Sequence, residues 1–265
     1  MQTNWFDSFS IPTLFGASLI LMLLMLEIGF RLGRSRQDKK VKAQTAQVRA
    51  LMGATLGLLA FMLAFTFASA QNHFEQRIQL QIDEAMLSKK AFMRADLATE
   101  PARSELRALL LEYSELRVNL KQMVQRGDSE QAAREVQRSE GIQLALWATA
   151  GDESMSPSSF GPEGIADMVL ELMAMQSQRL HAALVNRIPF VIWITLYFTA
   201  TMAMIVVGYQ AGLTERRSPV ATFSLALAFA AVMVLIMDLD RPLQSLFEID
   251  ISIWEQTVSF MRRQL

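Results

Sequence analysis

Four runs of apolar residues, each about as long as a bilayer is thick, constrain the fold of this chain more than any other feature. The runs span residues 11–30, 50–70, 188–209 and 219–237. An α-helix of about 20 residues crosses roughly 30 Å of hydrocarbon. Only helices and closed barrels satisfy their backbone in lipid, and these unbroken runs lack the alternation of a barrel strand. The sequence therefore predicts an all-α membrane protein with four transmembrane helices.

The composition agrees with this class of protein and excludes several others. Charged residues make up 19% of the 265 residues, against about 25% in a typical soluble domain, and they are concentrated in blocks. A net charge of −1 argues against a nucleic-acid-binding protein, which would show a basic face. The absence of cysteine excludes disulfides, cysteine-ligated zinc and thiol catalysis.

Basic residues predict how the chain crosses the membrane. Segment 31–49 holds one acid, Asp38, and seven basic residues: Arg31, Arg34, Arg36, Lys39, Lys40, Lys42 and Arg49. The loop after the third run holds Arg216 and Arg217 beside Glu215. Short cytoplasmic loops carry such an excess, so both are predicted to face the cytoplasm. Both termini and residues 71–187 are then extracytoplasmic. The first run is not expected to be a cleaved signal peptide, because no basic residue precedes it.

Residues 71–187 are predicted to be helical throughout. The second run continues without a break into a helix with apolar residues at 74, 78, 82, 86 and 93. A second helix ends near Gly127, and a third runs from Asp128 or Ser129 to about Ala150. A last helix begins near Pro162 and leads into the third run, with Pro189 as a point of kinking or restart. The second and third spans are therefore expected to extend out of the membrane as long helices.

The second helix of this insert has one clear apolar stripe. Its members are Leu106, Leu109, Leu110, Tyr113, Leu116 and Leu120. Glu105, Glu112 and Arg117 are predicted to lie off it. Near the C-terminus, Ile251, Trp254, Val258, Met261 and Leu265 line one face of a further helix. That helix either lies at the membrane surface or packs on the insert.

These elements predict four segments. Residues 1–70 form the first two spans with the basic loop 31–49, and residues 71–187 form a helical extramembrane domain. Residues 188–240 form the last two spans, and residues 241–265 form the amphipathic C-terminal helix.

The second span carries the pattern most suggestive of a function. Gly53 and Gly57 form a small-xxx-small motif, and Ala60, Ala64 and Ala68 continue the same helical face. Such a face lets another helix approach closely, within one subunit or between subunits. Phe61 and Phe65 are four residues apart and share a face. They are either a hydrophobic constriction that gates by dewetting or ordinary packing and lipid-facing residues.

Charged residues mark the ends of two spans. Glu27 lies inside the first span, and Arg31 follows four residues later in the favourable order for a local ion pair; the alternative is a place in an ion pathway. Asp238, Asp240 and Arg241 close the fourth span before Pro242. They either tether this end to the base of the insert, with Arg241 paired to an acid, or they belong to a cation site or ion vestibule.

Little in the sequence indicates catalysis. His73 and His181 stand alone in helical segments, and HExxH, GxSxG and P-loop motifs are absent. The sequence predicts no enzyme activity, no cofactor and no metal site. A membrane enzyme would depend only on Asp238, Asp240 and the two histidines.

Several stretches resemble the bestrophin-like domain family of bacterial membrane proteins. They are "LEIGFRLGR" (26–34), "GATLGLLAFMLAFTFASA" (53–70), "DEAMLSKKAFMRADLATEPARSELRALLLEY" (83–113), "NRIPFVIW" (186–193) and "DLDRP" (238–242). The family name implies a likeness to bestrophins, which are pentameric chloride channels whose second span lines the pore and carries an apolar neck. By its position in the span, that neck would contain Phe61 and Phe65. No acidic cluster resembles the bestrophin calcium clasp, so calcium gating is not implied.

The resemblance and the second span together predict a homo-oligomeric ion channel. Its partners are the lipid bilayer, further copies of the chain (a pentamer by resemblance) and inorganic ions, with no nucleic acid. The resemblance implies anions, whereas the acids Glu27, Asp238 and Asp240 favour cations. The alternative is a non-conducting sensor or scaffold whose extramembrane domain binds a partner. One difference from bestrophins is that their soluble portion is cytosolic, whereas the basic loops here place residues 71–187 outside.

Overall fold

A computed structural model describes residues 9–35, 41–125, 129–154, 164–214, 218–241 and 252–265. These residues form eight helices and no strand: α1 Ile11–Ser35, α2 Val41–Ala95, α3 Ala102–Gln125, α4 Ser129–Ser154, α5 Ile165–Leu184, α6 Phe190–Thr214, α7 Pro219–Asp240 and α8 Ser252–Gln264. The all-α prediction is confirmed for this part of the chain. The basic residues at 36–40 and 216–217, and also Gly127, Asp128, Pro162, Glu215, Pro242 and Ile251, lie outside the described residues.

The chain divides into two compact units. The first comprises residues 1–74 and 186–245, and the second comprises residues 75–185 and 246–265. These divisions lie beside the predicted boundaries at 70/71 and 187/188. That the second unit is extramembrane stays a prediction.

The first unit contains four helices long and apolar enough to cross a membrane. They are α1, the part of α2 from Ala46, α6 and α7, as the four apolar runs predict. Their core is built from buried aliphatic and sulfur-containing side chains, among them Met22, Leu59, Leu196, Met204 and Met233. Since lipid tails are as apolar as these side chains, close packing rather than hydrophobicity holds such helices together.

Glycines bring α1 and α6 into backbone contact. A Cβ built on Gly29 would lie 2.1 Å from the carbonyl oxygen of Ile205, and one on Gly208 would lie 2.0 Å from that of Leu26. Gly33 and Gly212 meet the same helix pair one turn further on. No other residue fits at these positions without moving the helices apart. A pair of glycines four residues apart occurs in each helix, as Gly29-xxx-Gly33 and Gly208-xxx-Gly212. The contact between α1 and α6 was nevertheless not predicted.

The second unit has its own apolar core. Phe92, Leu106, Leu146, Leu172 and Trp254 are almost fully buried there. Trp254 and Met261 of α8 belong to this core, so α8 packs on the insert rather than lying free at a membrane surface. The predicted stripe of α3 is buried at Leu106, Leu110, Tyr113 and Leu116.

Three predictions in this region are wrong. The third span was predicted to extend as one long helix, but α5 ends at Leu184 and α6 begins at Phe190; of the two alternatives given for Pro189, the restart is the one observed. Pro189 lacks an N–H and disfavours a helical residue before it, so the chain leaves the helix there. Met86 and Met93 were predicted on the apolar face of α2 but are 59% and 56% exposed, since the buried face passes through Ala91, Phe92 and Ala95 instead. Arg117 was predicted off the stripe and is buried.

Candidate functional site

The second span has one face covered by its own chain and one face uncovered. Leu59, Leu63, Thr66 and Ala70 are buried, and Thr199 of α6 donates a hydrogen bond to the sulfur of Met62 at 3.6 Å. These contacts attach one side of α2 to the rest of the first unit. The burial therefore follows the helical period and leaves the opposite side open.

The uncovered side carries every pore residue that the sequence predicted. Phe61 and Phe65 are 70% and 66% exposed. Around them, Gly53, Gly57, Ala60, Ala64 and Ala68 are exposed as well. A Cβ built on Gly53 or Gly57 would meet no atom within 4 Å. The small-xxx-small motif therefore does not serve helix packing inside the described chain, and its role between subunits stays a prediction.

The same side of α2 becomes polar beyond Ala68. Gln71, Asn72, Glu75, Gln76 and Gln79 are all exposed. The amide of Gln79 donates to the carboxylate of Asp83 at 2.8 Å. From Gly53 to Ala68, by contrast, the exposed side holds no charged residue. The face thus combines an apolar, small-residue stretch with a polar rim at one end.

Asp240 fixes the corner where α7 ends and α6 begins. Its Oδ1 accepts the backbone N–H of Ile188 at 2.9 Å, and its Oδ2 lies 3.7 Å from Nε of Arg187. Asp238, Asp240 and Arg241 are at most 3% exposed. They do not line a water-filled opening in the described chain, and the arrangement favours the tether over the vestibule.

Arg241 makes a contact that the sequence does not foretell. Its guanidinium donates to the carbonyl oxygen of Phe9 at 2.9 Å, which ties the end of α7 to the residues before α1. Asp240 at this corner pairs with Arg187. At the other end of α1, Nε of Arg31 donates to Glu27 at 3.0 Å, which is the local pair that the spacing predicts.

The second unit contains a buried charged cluster that was not predicted from the sequence. Glu84 of α2 is fully buried. Its Oε2 lies 2.9 Å from Nε of Arg179 on α5 and 3.6 Å from Nη2 of Arg117 on α3. One carboxylate therefore joins three helices. A signal was available, because Glu84 shares helical spacing with Ser88, Ala91 and Ala95, which are all buried small residues.

Tyr113 completes this cluster. Its hydroxyl donates to Oε1 of Glu84 and lies 3.3 Å from the side-chain oxygen of Gln176, while the amide of Gln143 donates to it at 3.4 Å. Burial raises the pKa of Tyr113 well above its ordinary value, and the negative charge of Glu84 raises it further. Burial and the nearby charge of Arg117 lower the pKa of Arg179. The cluster is a buried network of ion pairs and hydrogen bonds that joins α2, α3 and α5.

The histidines give no support to a metal site. Within the described residues, no group of three or more histidine, cysteine, aspartate or glutamate side chains is arranged to hold a metal ion. His73 lies in the first unit and His181 in the second.

These observations define the chain as a multi-pass, all-helical membrane protein with a separate helical unit between its second and third spans. A model of the Bestrophin-like domain family matches residues 16–251. The chain belongs to that family, as the resemblance of its motifs predicts. Neither a curated protein nor a solved structure matches the chain.

Proposed function

We propose that the chain is a subunit of a homo-oligomeric ion channel in a bacterial inner membrane, with its pore lined by the uncovered side of α2. The observation that carries the proposal is the exposure of Phe61 and Phe65 on a face of small residues. Small residues allow copies of α2 to approach closely. Rings of phenylalanine on the axis would then form a hydrophobic constriction.

Anions are the proposed permeant ions. The family likeness supports this choice. The acids that favoured cations are engaged elsewhere, Glu27 with Arg31 and Asp240 with Arg187. The apolar stretch of α2 from Gly53 to Ala68 presents no acid to a passing anion. Five copies around the axis follow from the likeness to bestrophins.

The orientation in the membrane is part of the proposal. Seven basic residues in segment 31–49 favour a cytoplasmic location for that loop. The second unit and both termini then lie outside the cytoplasm. No catalytic step and no cofactor are proposed.

Cysteine accessibility tests the pore assignment directly, because the chain contains no cysteine. Phe61→Cys and Ala64→Cys on α2 are compared with Phe198→Cys on α6, which is equally exposed at 61% but on a different helix. In reconstituted channels, a charged thiol reagent is expected to reduce the current through the α2 variants and to leave the Phe198→Cys current unchanged. Equal effects at all three positions, or none at the α2 positions, would refute a pore lined by α2.

The phenylalanines themselves provide a second test. If they form the constriction, Phe61→Ala and Phe65→Ala widen it and make it easier to wet, so single-channel conductance is expected to rise severalfold. Phe198→Ala is the matched control, because Phe198 is exposed at 61% on a different helix, α6. Unchanged conductance in both phenylalanine variants would remove the neck assignment.

The alternative is a non-conducting sensor or scaffold, and one observation favours it. The second unit leaves Leu144, Trp147 and Leu170 exposed at 61%, 40% and 48%, although it has a complete core of its own. Exposed large apolar side chains on neighbouring helices are typical of a protein-binding surface. A folded, purified oligomer that carries no current under any condition would favour this function.

A further inference from the structure

An apolar cavity of about 510 Å³ lies among α1, α6 and α7 in the first unit. Its walls include Phe9, Ala17, Ser18, Trp193, Ile194 and Tyr197. This volume falls within the range of about 300–1,000 Å³ that is usual for small-molecule sites. The cavity lies on helices other than the pore-lining α2, so it is separate from the proposed conduction path.

The cavity wall offers few polar atoms. The hydroxyls of Ser18 and Tyr197 are hydrogen-bonded to each other at 2.7 Å, and Thr13 is hydrogen-bonded to Ser10 at 2.7 Å. The remaining wall is mainly aliphatic and aromatic. A ligand therefore finds few hydrogen-bond partners there, and most of its free energy of binding comes from apolar contact. That chemistry selects a hydrocarbon chain over a polar solute.

The cavity borders the surface that faces lipid. Two of its wall residues, Phe190 and Ile194, are 48% and 53% exposed. The same surface of α6 continues through Val191 and Phe198, which are 70% and 61% exposed. On a helix that crosses a membrane, such side chains contact acyl chains. The hydrocarbon nearest to the cavity is therefore the bilayer itself.

The position of the cavity along the spans indicates which part of the bilayer it reaches. Phe9 lines the cavity and also accepts a hydrogen bond from Arg241, beside the buried pair of Asp240 and Arg187. Phe9 and Phe190 line the cavity where α1 and α6 begin, whereas Leu21 and Tyr197 line it further along these helices. The cavity thus extends from the end of the spans into their apolar part, where acyl chains are found.

We propose that this cavity binds one acyl chain of a membrane phospholipid, whose head group stays at the interface. The occupant is a lipid and not a helix of a second copy, because the contact between copies under the proposed function lies on α2, whereas the cavity borders the exposed apolar side of α6. Bound in this way, the acyl chain fills space between α1 and α6 that protein side chains leave empty.

Quenching of tryptophan fluorescence by brominated lipid tests the proposal. The full-length protein is reconstituted into vesicles of phosphatidylcholine with acyl chains that are either plain or dibrominated. Bromine quenches an indole only near contact, and the contribution of Trp193 is the difference between the wild-type protein and Trp193→Phe. We expect the Trp193 emission to fall severalfold in the brominated vesicles.

Variants that fill the cavity distinguish an acyl chain bound inside it from lipid that lies outside it. Ala17→Phe, or the milder Ala17→Leu, places a side chain in the cavity, whereas Ala228→Phe adds the same bulk at an exposed position of α7. Protection of Trp193 is expected in the Ala17 variants and not in Ala228→Phe. Unquenched Trp193 in the wild-type protein, as a covering second copy would give, overturns the proposal. Equal quenching in folded Ala17→Leu and Ala228→Phe overturns it as well.

Discussion

The backbone N–H of Ile188 donates to the carboxylate of Asp240 at 2.9 Å, across 52 positions of sequence. The bond forms where the chain cannot be helical, because Pro189 follows Ile188 and disfavours a helical conformation there. It satisfies a buried donor that would otherwise lack a partner. The run of apolar residues in α7 therefore ends in acids because one of them, Asp240, accepts a hydrogen bond from the residues that lead into α6.

Asp240→Ala is expected to destabilise the protein by about 3–5 kcal/mol, since it leaves the N–H of Ile188 and the guanidinium of Arg187 without this buried partner. Asp240→Asn keeps an acceptor for Ile188 and is expected to cost less. Thermal unfolding of the detergent-purified protein measures the effect, with the exposed Asp152→Asn as control. A melting temperature for Asp240→Ala equal to that of the control would contradict the capping role.

Glu84→Gln tests the buried cluster of the second unit. The amide still accepts from Tyr113 but cannot neutralise Arg117 and Arg179, so a loss of about 3 kcal/mol is expected. Adding Arg179→Met to Glu84→Gln is expected to restore part of that loss, because one uncompensated charge is removed. Glu105→Gln on exposed α3 surface is the matched control. A double variant less stable than Glu84→Gln would show that uncompensated positive charge does not cause the loss of stability.

The raised pKa of Tyr113 predicts a loss of stability in alkali. In the unfolded chain a tyrosine releases its proton near pH 10, whereas the folded protein keeps this proton. The contribution of Tyr113 to stability is therefore fully present below about pH 10 and falls at higher pH, by about 1.4 kcal/mol per pH unit. Tyr113→Phe is expected to be less stable at neutral pH and to have a shallower slope above pH 10. Denaturant unfolding between pH 8 and pH 12 measures both, and parallel slopes would contradict the prediction.

The glycines of the first unit divide into two groups with different expected effects. Gly29→Ala places a Cβ 2.1 Å from a backbone oxygen of Ile205, so it is expected to separate α1 from α6 and lower the melting temperature by several degrees. Gly57→Ala meets no atom of its own chain and is expected to leave the melting temperature of the monomer unchanged. Its expected effect is on subunit association, measured by native mass spectrometry. Equal thermal effects of the two substitutions would contradict this division.

Much of the fold was readable because membrane helices depend on length and hydrophobicity. The four spans, the continuous α2 and the start of α4 follow from apolar runs and helical period. A restart at Pro189 was one of two predicted alternatives, whereas the hydrogen bond from Ile188 to Asp240 was not predictable, because it joins residues far apart in sequence. The α1–α6 contact was not predicted, because glycine spacing alone does not identify the helix that approaches.

The candidate site was only partly readable. The small and aromatic face of α2 was found from its spacing, since exposure repeats with the helical period. Arg117 was predicted to lie off the apolar stripe, and its buried pairing with Glu84 was not predicted, because a single sequence does not show which charges meet in a core. Whether the uncovered face of α2 lines a pore depends on other copies of the chain, and no pattern within one chain specifies their number.

The central claim is tested most directly by the current through the purified protein. The protein is reconstituted in a planar bilayer with unequal salt on the two sides. The account predicts a reproducible current that reverses near the equilibrium potential of chloride. Reversal near the cation potential would contradict anion conduction. Silence across voltage and pH, from an oligomer whose fold is verified, would contradict the channel itself.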